Sequence, residues 1–311
     1  MFKIYLIIVL YINILNAQKI DIKMLQDEFY NEVIKVDIYK KYFHSYLKKQ
    51  CSTNDMICYI QHIKKLENWK STKSNISLQN SLATRKRLTF IDNSYKIRLA
   101  SRLNIYCKKD IFKDTQFVSV VDLNRQLFIV LLYVYNENTF YIIGSDLISS
   151  GNINREVEVK KGADHYLKTP SGIFEVTKGW RSDGKYNLDN ITLAYGSKGR
   201  FIYYLGKQQT IRYNTFDKNG TKIYDKTKWK LIKDELNFAI HSHKSTAKMG
   251  TPYSHGCIRM SDELNYFLDN HLVLHRNFFK NHKWVLKYAQ QPQHINNIDL
   301  LGKYIIVFDK I

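Results

Sequence analysis

Phe238-Ala-Ile-His241-Ser242-His243, followed after a short loop by Tyr253-Ser254-His255-Gly256-Cys257-Ile258-Arg259-Met260, decides how this chain is read. The segment reads as a strand, a loop and a returning strand, a path that carries Cys257 back beside the two upstream histidines. A thiol attacks as its thiolate, so a working nucleophile needs a nearby base. Gly256 allows a tight backbone approach just before Cys257. Successive backbone N–H groups there suit the oxyanion of a tetrahedral intermediate. Arg259, two residues on, suits a substrate carboxylate. A lone cysteine reads as inert and buried. Two histidines, a glycine and an arginine crowded into one segment point instead to a Cys-His site.

Outward from this stretch the second half of the chain is rich in strands. Phe117–Leu123, Gln126–Tyr135 and Thr139–Ile143 are expected as strands, with a turn at Asn136-Glu-Asn. More follow around Gly172–Lys178, Arg200–Leu205 and Leu236–His243, and the tail returns to strand at Trp284–Tyr288 and Tyr304–Phe308. A helix is expected after Ser261, its N-cap, with Asp262 and Glu263 at the positive end and Leu264, Phe267 and Leu268 on an apolar face. The first half is helical in pattern. Leu25, Phe29 and Val33 recur at four-residue steps between Ile20 and about Lys49. A second helix is expected over Met56–Trp69, a polar loop over Ser71–Ser81, and another helical stretch to about Ile105. This half carries no catalytic motif and reads as a module that orients or docks the enzyme.

The decisive segment resembles the L,D-transpeptidase catalytic domain family, also called YkuD-like. The family pattern is a His, a spacer, then Ser/Thr-His-Gly-Cys with an Arg or Asn two residues on. His241 and Ser254-His255-Gly256-Cys257-Ile258-Arg259 fit it. Upstream, Asp164-His165-Tyr-Leu-Lys-Thr169-Pro170-Ser171-Gly172-Ile-Phe174 is similar to the family's Thr-Pro-x-Gly-x-Phe segment. That form, with Ala194-Tyr195-Gly196-Ser-Lys-Gly199, resembles a proteobacterial branch. The resemblance runs from about Phe117 to the C-terminus and leaves the helical half uncovered.

The resemblance implies a β-rich YkuD-like catalytic domain over 113–311; with the helical N-terminal module read from the pattern over 18–112, an α+β fold is expected. The resemblance also implies peptidoglycan chemistry serving cell-wall biogenesis and cell shape, with no cofactor and no metal. Such enzymes attack the diaminopimelate carbonyl of a tetrapeptide stem, expel the terminal D-Ala and pass the acyl group to an amine. Carried over by position, Cys257 is the nucleophile and His241 the base, with Ser242 fixing the imidazole through its backbone carbonyl. His255 and the N–H groups of Gly256 and Cys257 stabilise the oxyanion. Arg259, Ser254 and Tyr253 are expected to meet substrate. One departure stands out: family members often carry His-Gly-Thr where this chain has His241-Ser242-His243. The alternatives are an L,D-carboxypeptidase that trims stems by hydrolysis and a non-catalytic wall-binding protein. The intact Ser-His-Gly-Cys segment disfavours the latter.

The N-terminus carries Lys3, an apolar run from Ile4 to Leu15, then Ala17, the order of a secretory signal over 1–17. Export to the periplasm is expected, with membrane anchoring if the signal stays uncleaved. A net charge of +20 favours anionic partners. On an exported chain without a basic-aromatic binding motif, that means a wall or membrane surface rather than nucleic acid. Oxidising surroundings make a Cys51–Cys58 bridge one option, with Cys107 able to replace either partner. A zinc site built from His241, His243, His255 and Cys257 is the rival chemistry, weakened because no carboxylate in the segment would serve as base. His271, His275, His282 and His294 are expected on solvated surface. Asp164-His165 is expected to seat the Thr169-Pro170 turn. Trp180, Trp229 and Trp284 are expected as core or groove walls, and Tyr195 and Tyr253 flank the motifs.

Overall fold

A computed structural model of the chain describes residues 20–34, 84–155, 165–185, 195–243, 249–279 and 299–311. The apolar leader, Cys51, Cys58, Asp164, His282, His294 and the expected elements at 56–69 and 284–288 lie outside the described residues.

Helix α1 spans Ile22–Phe29 and is prolonged by a π turn over Tyr30–Ile34. Asp21 caps it, its carboxylate accepting from the Met24 N–H at 2.9 Å. The four-residue recurrence is its inner face: Leu25, Phe29 and Val33 are all buried. A short helix over 84–89 precedes α2, Asn93–Lys108, which Asp92 caps by accepting from the Tyr95 N–H at 2.7 Å.

The strands are β1 Gln116–Asp122, β2 Leu127–Val134, β3 Thr139–Ser149, β4 Gly172–Glu175, β5 Lys178–Arg181, β6 Phe201–Asn214, β7 Lys230–Ser242, β8 Ile258–Met260 and β9 Tyr304–Phe308. They form one mixed sheet in the order β4-β9-β1-β2-β3-β8-β7-β6-β5. The β1/β9 and β7/β8 neighbours are parallel and the rest antiparallel. The stretch expected as one strand around Gly172–Lys178 is in fact two, β4 and β5, at opposite edges of this order. Only Val176 and Thr177 separate them, and three peptide steps reach about 11 Å at most. The two edges must therefore lie close together, so the sheet curls. Val176 N–H donates to Lys303 O at one edge and Thr177 N–H to Tyr204 O at the other.

Two apolar cores follow. Inside the curl, Phe117, Phe128, Val130, Phe201, Tyr203, Phe238, Ile240, Ile258 and Met260 pack against helix α3, Asp262–Asn270, and against Leu25, Phe29 and Val33 of α1. Outside it, Val118, Val120, Ile129, Leu131 and Tyr133 pack under Tyr95, Leu99 and Leu103 of α2. Strands β1 and β2 are covered on both faces, which is why Leu127–Val134 reads as an unbroken apolar run instead of an alternating one.

The described helices of the first half are thus built into the sheet's cores. Phe29 lies over Gly144 of β3, where a Cβ would run into its ring, and meets the Phe267 ring edge-on at 4.9 Å. Arg85 grips buried Asp146 of β3 with two bonds of 2.9 and 2.6 Å. The same carboxylate accepts from Ser261 Oγ at 2.7 Å, and Ser261 Oγ caps α3 by accepting from the Leu264 N–H.

Two histidines expected in solvent are buried. His271, at the C-terminus of α3, stacks on Phe267 at 4.0 Å and brings Nε2 to 3.2 Å from Glu32 in the π turn after α1. His275 lies among the Phe201, Tyr203 and Phe278 rings with Nε2 3.3 Å from Asp269. The chain turns inward after α3, burying Leu272, Val273 and Leu274, and α1 closes over the end of the helix.

Candidate active site

Strands β7 and β8 run parallel with Ile240 opposite Ile258 and His241 opposite Arg259. Side chains alternate along each strand. Phe238, Ile240, Ile258 and Met260 go into the core, and His241 and Arg259 share the other face. Cys257 comes immediately before β8, at the rim of that face. Its thiol donates to the Asn237 carbonyl of β7 across 3.6 Å. Gly256 has φ 137°, a conformation closed to ordinary side chains.

His241 is 3% exposed, and its Nδ1 lies 2.8 Å from the Ser242 carbonyl. A carbonyl can only accept, so Nδ1 carries the proton and Nε2 is left as the basic nitrogen. Burial pushes the imidazole pKa down to about 3. The Ser242 hydrogen bond opposes that shift, and the positive charges of Arg259 and His243 add to it. Burial also pushes the Cys257 thiol up, against a backbone hydrogen bond at Ala239 and the charge of Arg259. Both shifts favour the neutral forms, a thiol at Cys257 and an imidazole at His241.

Each of the two residues has its own buttress. On the His241 side, the Tyr195 ring meets the imidazole edge-on at 5.3 Å. Gly196, at φ 79°, packs its bare α-carbon on Ser242. On the Cys257 side, Leu167 N–H donates to His255 O at 3.1 Å, and the Tyr166 ring stacks on His255 at 4.2 Å. Thr169 Oγ1 donates to Gly256 O at 2.6 Å and accepts from Gly151 N–H at 2.8 Å. Gly151 is itself a close approach, since a Cβ there would sit 2.8 Å from Gly256 Cα. These contacts are the structural content of the Thr-Pro segment.

Cys257, Gly256, His241, Ser242 and Arg259 come together as the strand-loop-strand reading expects. Ser254 differs, being fully buried. Its hydroxyl donates to Cys257 O at 2.5 Å and accepts from Gly256 N–H at 3.1 Å, so it holds the Gly256–Cys257 loop from inside. That bond also engages the Gly256 N–H expected at an oxyanion. His165 Nε2 is 3.8 Å from Asp234 of β7. Thr169, Gly196 and Arg155 join the site without being marked as site residues by the sequence. Thr169 and Gly196 lie within recognised motifs, but their contacts span 87 and 46 positions and leave no local pattern. Arg155 has no sequence signal at all; it lies over Tyr253 with its guanidinium carbon 3.3 Å from the ring centre.

Among the described residues no three His, Cys, Asp or Glu side chains converge as metal ligands would. A cavity of about 650 Å³ lies between α1, α2 and β3, lined by Phe29, Leu99 and Ile142, and contains none of the motif residues.

The family model of the L,D-transpeptidase catalytic domain matches residues 116–273, just over half of the 311-residue chain. No curated protein matches the chain. Among solved structures it is similar to the L,D-transpeptidase (residues 123–326) from Xylanimonas cellulosilytica, at 17% identity and a TM-score of 0.29, covering 63% of this chain and 61% of that one. It is also similar to Bd1075 from Bdellovibrio bacteriovorus, at 16% identity and a TM-score of 0.29, covering 64% of this chain and 49% of that one. The helical cell shape determining protein Pgp2 from Campylobacter jejuni has 16% identity, a TM-score of 0.27 and the same two coverages. The chain spans less than two thirds of the length of each of these structures. With the match extending from the first strand through α3 and including both motifs, the chain belongs to the L,D-transpeptidase catalytic domain (YkuD) family.

Proposed function

We propose that the protein is an exported cysteine L,D-transpeptidase that works on peptidoglycan in the periplasm. The observation that carries this reading is the pairing of β7 with β8. It sets the base strand and the nucleophile strand side by side, His241 in register with Arg259 and Cys257 two residues before it.

The chemistry begins from the neutral pair. The Cys257 thiol turns from the Asn237 carbonyl towards His241, whose Nε2 takes the proton as sulfur attacks the diaminopimelate carbonyl of a tetrapeptide stem. A C–S bond forms, and the carbonyl π pair moves to oxygen. Collapse of the tetrahedral intermediate breaks the bond to the terminal D-Ala nitrogen, which leaves with the proton held by His241. The thioester is then attacked by an amine of a second stem, its proton returning through His241, and the thiol is released. Arg259 orients a carboxylate of the donor, and Tyr195 walls the imidazole from water. Coupling proton transfer to attack keeps the sulfur uncharged until substrate is present, which limits its oxidation between turnovers.

Incubation of the full chain with purified tetrapeptide-rich peptidoglycan, followed by mass analysis of the muropeptides, tests the reading. Cross-linked dimers lacking one D-Ala are expected, and Cys257→Ala should abolish them. Tripeptides alone would replace transfer with hydrolysis. Unaltered muropeptides, or full activity in Cys257→Ala, would overturn the proposal.

A further inference from the structure

Against the loop that leads into Cys257 lies a second cation that the transfer chemistry above does not use. Arg155 donates from Nη1 to the Tyr253 carbonyl at 2.9 Å. Its guanidinium lies 3.3 Å from the Tyr253 ring centre and 4.6 Å from that of Tyr166. Tyr166 in turn stacks on His255. Arg259 approaches from β8: it pairs with Ser149 of β3, and the next residue, Ser150, accepts the Tyr253 N–H at 2.8 Å, which brings the Arg155–Tyr253 unit to the same end of β8. The buried Nε of Arg259 has no hydrogen-bond partner among the described residues.

Two guanidinium groups brought together beside two tyrosine rings repel each other. Burial works most against the charge on Arg259 and the Arg155 charge adds to that, while Cys257, Tyr166 and Tyr253 act the other way. An arrangement that is unfavourable when empty becomes favourable when an anion sits between the two cations. Guanidinium forks match carboxylate oxygens in pairs, and ring stacking fixes the plane of Arg155 so that little freedom is lost on binding. We propose that Arg155 and Arg259, held by Tyr166 and Tyr253, form a two-guanidinium subsite that selects acyl donors by free carboxylates beside the scissile bond. Donors with amidated carboxylates are then disfavoured. The selectivity for stems rests on the proposed function; the anion subsite does not.

One experiment separates the two. Cys257 of the full chain is alkylated at low salt with iodoacetate or with iodoacetamide, and the rate at that residue is read by mass spectrometry. The reagents differ in charge, so the ratio of their rates reports the field at the thiol without any stem peptide. Arg155→Gln should lower the iodoacetate-to-iodoacetamide ratio about fivefold, and Arg155→Lys should keep most of it. A melting curve on each variant separates loss of charge from loss of fold. In a second arm, kcat/KM is compared for stems with free and with amidated carboxylates. The preference for free carboxylates should fall about tenfold in Arg155→Gln and recover in Arg155→Lys. An alkylation ratio the same in wild type and Arg155→Gln, or equal preference for both stems in wild type, overturns the inference. A ratio that falls in Arg155→Gln while wild type processes neither stem supports the subsite and overturns the transpeptidase reading.

Discussion

Gly196 packs directly on the backbone carbonyl of Ser242, the group that orients His241. A Cβ on Gly196 would come within 2.6 Å of that oxygen, and φ 79° leaves no relaxed alternative for a side chain. Gly196→Ala should therefore displace Ser242 and turn the imidazole away from its working tautomer and direction. The expected result is a fall in acylation rate of about tenfold or more, with a smaller change in KM, because the general base is misplaced and the substrate groove is kept. An acylation rate equal to wild type in a normally folded Gly196→Ala protein would show that the contact is only packing.

The depressed His241 pKa makes an acid limb of stability. In the folded state the imidazole resists protonation down to about pH 3; unfolded, it takes up a proton near pH 6.5. Between those values the unfolded chain binds more protons, so the contribution is complete above about pH 6.5 and is lost as pH falls towards 3, by about 1.4 kcal/mol per unit. Urea unfolding of wild type and His241→Gln at pH 7 and pH 4.5 should show wild type losing on the order of 2 kcal/mol more than the variant. Parallel losses would remove His241 from the acid response. The raised thiol pKa has its own sign. Alkylation of Cys257 by iodoacetamide should still be climbing with pH where an ordinary thiol has levelled off.

What the sequence discloses here follows the range of each signal. The capping residues Asp21, Asp92 and Ser261 act within three positions, and the Ser261 cap and the helix after it are evident from local pattern. The strand pair carrying His241 and Cys257 is legible because its alternation and its motif are short-range. His271 is read as solvated because α3 gives no local sign that the π turn after α1, more than two hundred residues earlier, covers its end; His275 is read so because nothing local marks Phe201 and Tyr203 of β6 as its neighbours. The division into β4 and β5 escapes the sequence for a related reason. Val176 and Thr177 are ordinary strand residues, and only the curl of the whole sheet places their neighbours on different edges. Ser254 reads as substrate-facing within its motif, and only the fold shows its hydroxyl turned inward on Gly256 and Cys257.

Phe29 joins α1 to the catalytic sheet, so its loss should be felt by the whole domain. The ring fills the space over Gly144 and meets Phe267, and it is 2% exposed. Phe29→Ala should cost about 3–5 kcal/mol in denaturant unfolding, the range for a large buried aromatic. Gly144→Ala should also destabilise by about 1–3 kcal/mol, from overpacking instead of a cavity. The double variant should be less destabilised than the sum, since the added methyl enters the space the ring vacates. Additive losses would mean that the two positions do not share one contact.

Thr169 bridges the Thr-Pro segment to the nucleophile's loop through one hydroxyl with two partners, Gly256 O and Gly151 N–H. It is 1% exposed, so each partner loses its hydrogen bond without gaining water when the hydroxyl is removed. Thr169→Val keeps the shape and removes the bond. It should lower stability by about 1–3 kcal/mol and let the Gly256 peptide rotate, which moves the Cys257 amide that follows it. Thr169→Ser keeps the bond with a methyl less and should hold most of the activity. The separating measurement is single-turnover acylation in the two variants at a temperature where both are fully folded. Acylation slowed in Thr169→Val and restored in Thr169→Ser assigns the hydroxyl a positioning role for the nucleophile. Equal rates in the two would reduce Thr169 to a packing residue, and the Thr-Pro segment would then act on Cys257 through Tyr166 and Leu167 alone.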